Sequence, residues 1–183
     1  ASPFNAYAGP DRPELVVVTS GTGRWYATEA IRILDADARV GVLKIGTTWP
    51  LPLGFLSRHL EGVPAVLVVE ESDPVLEYNL KAFLHEDGFL DGPAPRVYGK
   101  VSGTVAGPFG PEVGEMDPDI VTEAVARALG TSGTRRVPTL RAEVGDEVDF
   151  ELPPREVAFC PGCPHRASYW VMKNALRLDG RDG

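Results

Sequence analysis

Cysteine occurs twice in this sequence, and both copies fall in one tetrapeptide, Cys160-Pro161-Gly162-Cys163, which runs straight into Pro164-His165-Arg166. Two thiolates separated by two residues can grip one metal ion or one cluster. Three chemistries fit that spacing. A thioredoxin-type redox pair would follow a strand early in its fold and would lack the trailing Pro-His. A half zinc site would take His165 as a third ligand, and an iron–sulfur half-site would find its other ligands beyond Gly183. The spacing alone does not choose among them.

Two further groups of residues stand where an α/β protein places ligands. Ser20-Gly21-Thr22-Gly23 follows the apolar run 15–19 and precedes a helical pattern. Amides at a helix start can hold a phosphate, and glycine lets backbone approach a ligand. The third glycine of a dinucleotide fingerprint would fall at Tyr26, so the motif is incomplete, and a tight turn needing positive φ accounts for the glycines equally. Glu70, Glu71 and Asp73 follow the apolar run 65–69. Paired carboxylates could do acid/base work or hold a cation, whereas acids ahead of a helix are favoured by capping and by the helix dipole alone. His59 and His85 stand isolated on polar faces of predicted helices and are expected to be solvated. There is no Gly-x4-Gly-Lys-Ser/Thr loop, no Gly-x-Ser-x-Gly elbow and no visible Ser-His-Asp grouping.

The elements that position these residues follow from hydrophobic periodicity. Runs at 15–19, 40–45, 65–70 and 96–98 are too continuously apolar or β-branched for half-exposed strands and suit a sheet covered on both faces. Between them, helical spacing appears at 24–34, 52–60 and 74–84, and again at 118–129. Asp73-Pro74 and Asp117-Pro118 each read as an acid N-cap with proline at the first helical position, and Gly130 ends the last of these helices. The alternation predicts an α/β fold of three layers, a mostly parallel sheet with helices on both faces. Residues 1–12 read as a linker, 13–130 as the α/β domain and 131–157 as an acidic connector with one strand-like stretch at 147–150. In the final segment, 158–183, a helical run at 167–178 puts Trp170, Val171, Ala175 and Leu178 on one face.

Length and composition bound the rest. At 183 residues, 43% hydrophobic and 24% charged, the chain is rich enough in apolar residues for one core and needs no disulfide staple. With 18 basic against 26 acidic residues the net charge is −8, so nucleic-acid phosphate and anionic bilayers are not expected partners. No apolar run approaches the 18 or so residues that span a membrane, and no secretory signal is expected. Confining both thiols to one tetrapeptide suggests reducing, cytoplasmic surroundings.

Taken in order, Val18-Thr19-Ser20-Gly21, the loop Lys44 to Pro52, Val68 to Pro74, Asp117 to Val121 and the octapeptide Phe159 to Arg166 resemble the middle of the α subunit of indolepyruvate:ferredoxin oxidoreductases, a branch of the 2-oxoacid:ferredoxin oxidoreductase family. The octapeptide is the most specific of these segments. In that family a pyrimidine-binding thiamin domain is followed by a transketolase C-terminal-like domain, then by a diphosphate-binding thiamin domain that opens on the Cys-Pro-Gly-Cys-Pro-His-Arg motif, then by a ferredoxin-like tail. Residues 13–130 resemble the second domain, of flavodoxin-like architecture, and 158–183 the opening of the third.

The resemblance implies oxidative decarboxylation of an arylpyruvate to acyl-CoA, with thiamin diphosphate, Mg and 4Fe-4S clusters as cofactors and a β subunit, ferredoxin and coenzyme A as partners. It also implies that Cys160 and Cys163 are cluster ligands. The sequence departs from the family pattern at the Gly-rich stretch 105–115 and the acidic stretch 140–150, and it contains no Gly-Asp-Gly motif for a magnesium diphosphate. The expectation is therefore an internal piece of the parent enzyme that binds no cofactor by itself, is inactive alone, supplies no catalytic residue and acts as a structural and subunit-contact domain, with homo-oligomers allowed. Two alternatives from other classes stand beside it: an independent small-molecule or nucleotide-binding domain using the 20–23 turn, and a zinc-stabilised interaction module.

Overall fold

Four consecutive residues with no exposed surface, Leu15, Val16, Val17 and Val18, start the central strand of the sheet in a computed structural model of the chain. The structure describes residues 2–86, 89–106, 116–131 and 163–181. They fall in two compact units, Ala1–Val137 and Pro138–Gly183.

In the first unit the strands are β1 (Ala6–Ala8), β2 (Leu15–Ser20), β3 (Val40–Ile45), β4 (Ala65–Val69) and β5 (Arg96–Tyr98), joined by helices α1 (Gly23–Ile33), α2 (Leu53–Leu60), α3 (Val75–Leu84) and α4 (Pro118–Ala128). The sheet order is β1-β3-β2-β4-β5. β2 pairs in parallel with β3 and with β4, and β4 with β5; only β1 is antiparallel, against β3. The four parallel strands thus stand in the order second, first, third, fourth, that of flavodoxin-like sheets.

Side chains that alternate along a strand point to opposite faces, and here both faces are apolar. Leu15, Val17, Val40, Val42, Leu67 and Val69 meet Ala27, Ala30 and Ile31 of α1 and Val121, Ala124 and Val125 of α4. Val16, Val18, Leu43, Ile45, Val66 and Val68 meet Leu56 and Leu60 of α2 and Leu76, Leu80 and Leu84 of α3. This is the three-layer α/β arrangement expected from the continuous apolar runs. α4 also begins as its sequence dictates: Asp117 accepts a hydrogen bond from the Ile120 amide at 2.8 Å, with Pro118 following it. It ends at Gly130, whose φ is +68°.

Residues 1–12 are not the linker their composition suggests. Ala6, Tyr7 and Ala8 pair with Lys44, Leu43 and Val42 as an edge strand. Three residues are too few to carry a strand period. What fixes them is tertiary: the Asn5 side chain accepts from the Gly46 amide at 2.8 Å, and the Tyr7 ring packs where a Cβ on Gly41 would stand.

The second unit contributes helix α5 (Pro164–Leu178), which buries none of its side chains; Trp170 is 68% exposed and Leu178 87%. The strand-like stretch 147–150 and most of the connector 131–157 lie outside the described residues. Among those described, no helix is long and apolar enough to cross a membrane.

These burials set an expectation for core substitution. Leu67→Ala, at a position with no exposed surface between two helical layers, should cost about 2–5 kcal/mol in urea unfolding, while Leu178→Ala should stay within about 0.5 kcal/mol.

Candidate functional site

The chain leaves β2 through α1 to reach β3 on one side, then crosses back over β2 through α2 to place β4 on the other. The connections at the carboxyl ends of β2 and β4 therefore diverge, which is where open α/β sheets form their ligand crevice. A cleft of about 390 Å³ lies there, and Ser20, Thr22, Thr48, Glu70, Glu71 and Asp73 are among its walls. Two of the sequence-predicted groups, the 20–23 turn and the acids after β4, are thus brought together.

Glu70 is the best-held of these acids. It is 8% exposed, and its two carboxylate oxygens accept from the backbone amides of Leu76 at 2.6 Å and Glu77 at 2.9 Å. Those amides open α3 and have no partner inside the helix. Burial holds the Glu70 carboxyl above the ordinary glutamate range; the two amide bonds and the nearby Lys100 pull it down, and Glu77 pushes it further up. The cap of α3 is therefore not Asp73, as the Asp-Pro pair suggests. Pro74 takes the N-cap position without a side-chain bond, and the carboxylate that serves the helix start comes from the strand end, six residues ahead of Leu76.

Glu71 is also committed. Its Oε2 accepts from the Met116 amide at 3.1 Å and its Oε1 from the Thr22 hydroxyl at 3.4 Å, which links the turn after β2 to the approach to α4. Asp73 makes no side-chain hydrogen bond or ion pair among the described residues. The carboxylates are thus not arranged as an acid/base pair, and among the described residues no group of three or more His, Cys, Asp or Glu side chains is placed to hold a metal ion.

The 20–23 turn divides its two glycines between separate tasks. Gly21 sits at φ +55°, a conformation that penalises any Cβ. At Gly23 a Cβ would run into the Thr19 hydroxyl and meet the Val69 carbonyl at 3.2 Å, so this glycine lets α1 lie against β2 and β4. A phosphate approaching the start of α1 would meet Glu71, already bonded to Thr22, and Glu70 and Asp73 line the same cleft. That sign of charge disfavours a diphosphate.

Behind the cleft lies a set of buried charges that the sequence reading missed. Glu77 has no exposed side-chain surface; Lys81 donates to its Oε1 at 2.6 Å and the Val101 amide to its Oε2 at 3.0 Å. A Cβ on Gly99 would strike that carboxylate. Lys100, 1% exposed, donates to the Ser72 carbonyl, the residue at φ +54° in the β4–α3 turn. Helical periodicity puts Glu77 one residue from the inward-facing Leu76, which was the available signal, but a glutamate there reads as surface until Lys81 and the 99–101 loop are known to meet it.

Elsewhere, His59 is only partly solvated. It is half-buried between the rings of Phe55 and Tyr7, at centroid distances of 4.4 and 5.2 Å, and its Nδ1 lies 2.8 Å from the Phe55 carbonyl. His85 is exposed at the C-cap of α3, as expected. Cys163 is a free thiol at the N-cap of α5, with Sγ 3.4 Å from Nδ1 of His165. Cys160 lies outside the described residues.

Removing the Glu70 carboxylate leaves two buried amides without acceptors, so Glu70→Ala should cost roughly 2–5 kcal/mol in chemical unfolding, against under about 1 kcal/mol for the exposed Glu71→Ala. Because the folded state raises the pKa of Glu70, the stability from this group is fully present below the ordinary glutamate range and is lost as pH rises through the raised value. Unfolding of the wild type and Glu70→Gln across acid to neutral pH should show the difference moving against the wild type over that window and then levelling. A difference that moves in the wild type's favour as pH rises would contradict the assignment.

Three comparisons bear on identity. The family model described as "Indolepyruvate oxidoreductase domain" matches residues 7–146. Curated relatives described as "Indolepyruvate oxidoreductase subunit IorA" include one from Methanothermobacter marburgensis, 37% identical over 92% of this chain and 25% of the relative. Those from Methanothermobacter thermautotrophicus and Pyrococcus abyssi are 35% and 32% identical, each over 95% of this chain and 25% of the relative. The chain thus spans about a quarter of the length of the curated relatives it matches. A solved chain titled "Split gene transketolase, inactive beta4 tetramer" aligns with a TM-score of 0.43 and 17% identity, over 66% of this chain and 39% of that one, and the fold assignment rests on the sheet order instead. The family match, which takes in the sheet, the four helices of the first unit and the cleft they surround, shows that this chain belongs to the indolepyruvate oxidoreductase domain family.

Proposed function

We propose that the chain is an internal domain of a thiamin-diphosphate-dependent indolepyruvate:ferredoxin oxidoreductase, in which residues 13–130 form a transketolase C-terminal-like, subunit-contact domain beside the active site and 158–183 begin the next domain. The observation that carries this reading is the family match over 7–146 together with relatives that align along nearly the whole chain. In the parent, an arylpyruvate and coenzyme A would give acyl-CoA, carbon dioxide and a proton, and two electrons would leave singly to ferredoxin. Thiamin diphosphate with Mg supplies the carbanion chemistry for such a cleavage when bound.

The residues of this chain do not fit that cofactor at the cleft. Glu70 and Glu71 are spent on hydrogen bonds within the domain and Asp73 adds a further carboxylate, so the reading places the diphosphate on another part of the parent. The cysteine motif fits a metal better. The Cys163 thiol stands free at a helix start, and with Cys160 it would give two of the four thiolates of a 4Fe-4S cluster. His165, 3.4 Å from the sulfur, suits a zinc reading of the same motif. In the parent the chain would work in the cytoplasm, against a β subunit.

The full-length parent should reduce ferredoxin in the presence of indolepyruvate and coenzyme A, and lose that activity when thiamin diphosphate is removed; an enzyme indifferent to the cofactor would end this reading. By calorimetry, the 183-residue chain alone should show no micromolar binding of thiamin diphosphate with magnesium. Cys163→Ser in the parent should remove about four irons per chain by metal analysis. Loss of zinc with iron unchanged would assign the motif to zinc.

A further inference from the structure

The large apolar side chains exposed in the first unit are Phe4 (66%), Trp25 (67%), Trp49 (71%), Val75 (56%), Tyr78 (56%) and Val101 (40%). Among the described residues, all of them stand at the edge of the sheet where the parallel strands end. Trp25 lies in the first turn of α1 after β2, and Trp49 follows β3. Phe4 backs onto Gly46 at the end of β3. Val75 and Tyr78 face out from the first turn of α3 after β4, and Val101 follows β5. The opposite edge, where the parallel strands begin, shows none among the described residues.

Four of these side chains stand at the cleft or next to its wall residues in the chain. Val75 is part of its wall, Trp49 follows the wall residue Thr48, Trp25 is one turn on from the wall residue Thr22, and Tyr78 is one turn on from Val75. Tryptophan and tyrosine are enriched among the anchors of protein interfaces, and exposed apolar side chains gathered at one edge mark an interaction site. The centre is acidic, and Asp73 is the one wall carboxylate with no side-chain partner among the described residues. The charge complement is an arginine or lysine. The surface is also held in shape before any partner arrives, because Glu70, Glu77 and Lys100 fix the β4–α3 turn and the first turn of α3.

We propose that this carboxyl-edge surface is the docking face for another domain of the same polypeptide, which inserts a basic side chain beside Asp73 and covers Trp25, Trp49 and Tyr78. The occupant follows from chain length: the relatives are about four times as long as the segment that matches, so most of such a polypeptide lies outside this unit, tethered to it at high effective concentration. The inference rests on the family reading for the existence of those domains.

The test uses the full-length parent. Under hydroxyl-radical footprinting, Trp25, Trp49 and Tyr78 should oxidise at least about fivefold more slowly than in synthetic peptides of the same sequence. Crosslinks from this face, formed in a mixture of isotopically light and heavy chains, should join segments of one isotope only. Asp73→Lys, an exposed substitution that leaves the fold's circular dichroism unchanged, should raise the oxidation of both tryptophans several-fold. Oxidation at the peptide rate would overturn the proposal, and so would mixed-isotope crosslinks, which mean a second copy, or crosslinks to a separate subunit. An Asp73→Lys variant as protected as the wild type would remove the basic anchor. A protein with no indolepyruvate activity but a protected face would sink the functional reading alone, and an active protein with an open face would sink this one alone.

Discussion

A helix that starts at a strand end exposes amides that its own hydrogen bonds cannot satisfy, and at β4–α3 the sequence puts a proline where a capping side chain would normally stand. Glu70 resolves this from the strand side, with one carboxylate oxygen on each of two amides. The bond has consequences in both directions along the chain. It fixes where α3 begins, and so which residues of that helix, Leu76, Leu80 and Leu84, face Val66 and Val68. It also fixes the tight return through Ser72, whose left-handed backbone presents its carbonyl to the buried ammonium of Lys100. Glu77, held by Lys81 and the Val101 amide, extends the same set of charges to the β5 loop. Removing one partner of a buried pair such as Glu77–Lys81 strands the other and is strongly destabilising, and together these bonds hold the carboxyl edge of β4 rigid.

That rigidity matters because of where the edge lies. The sheet reverses its winding at β2, so the turns after β2 and β4 diverge and leave a crevice whatever the side chains are. The side chains then decide what the crevice can receive. Glu71 ties the α1 start to the segment ahead of α4, and Gly23 brings α1 against Val69. The result is a narrow acidic floor between helix starts, the reverse of the electropositive pocket that a phosphate needs.

Much of this was legible in the sequence. The parallel α/β architecture follows from Leu15 to Val18 and Ala65 to Val69, runs apolar on both faces, and the start of α4 follows from Asp117-Pro118 because there the acid does cap the helix. The same dipeptide misleads at Asp73-Pro74. Local chemistry offers Asp73, but the chain turns so that Glu70 reaches the amides first, and only the tertiary path decides between them. β1 was hidden for a related reason, since its pairing is set by Asn5 and Tyr7 reaching residues some forty positions away. His59 looks solvated on a helical wheel because one of the two rings that flank it, Tyr7, comes from that same unread strand.

The placement of apolar surface completes the physical picture. On both faces of the sheet the alternating strand residues find helices, so the core closes without help from elsewhere. The exposed tryptophans and tyrosine are therefore not a core left unfinished. Val75 and Tyr78 belong to a helix whose inward face, Leu76 and Leu80, is already covered, and Trp25 belongs to one whose inward face is Ala27, Ala30 and Ile31. A side chain that the fold does not need and that water disfavours contributes nothing to the stability of this unit. Its location around an acidic crevice, on helix starts held by buried carboxylates, is what an interface requires: apolar anchors on a frame that loses little freedom on binding. The same carboxylates that hold the frame also line the crevice with acid, so one set of side chains both builds this face and sets the charge that a partner there would have to carry.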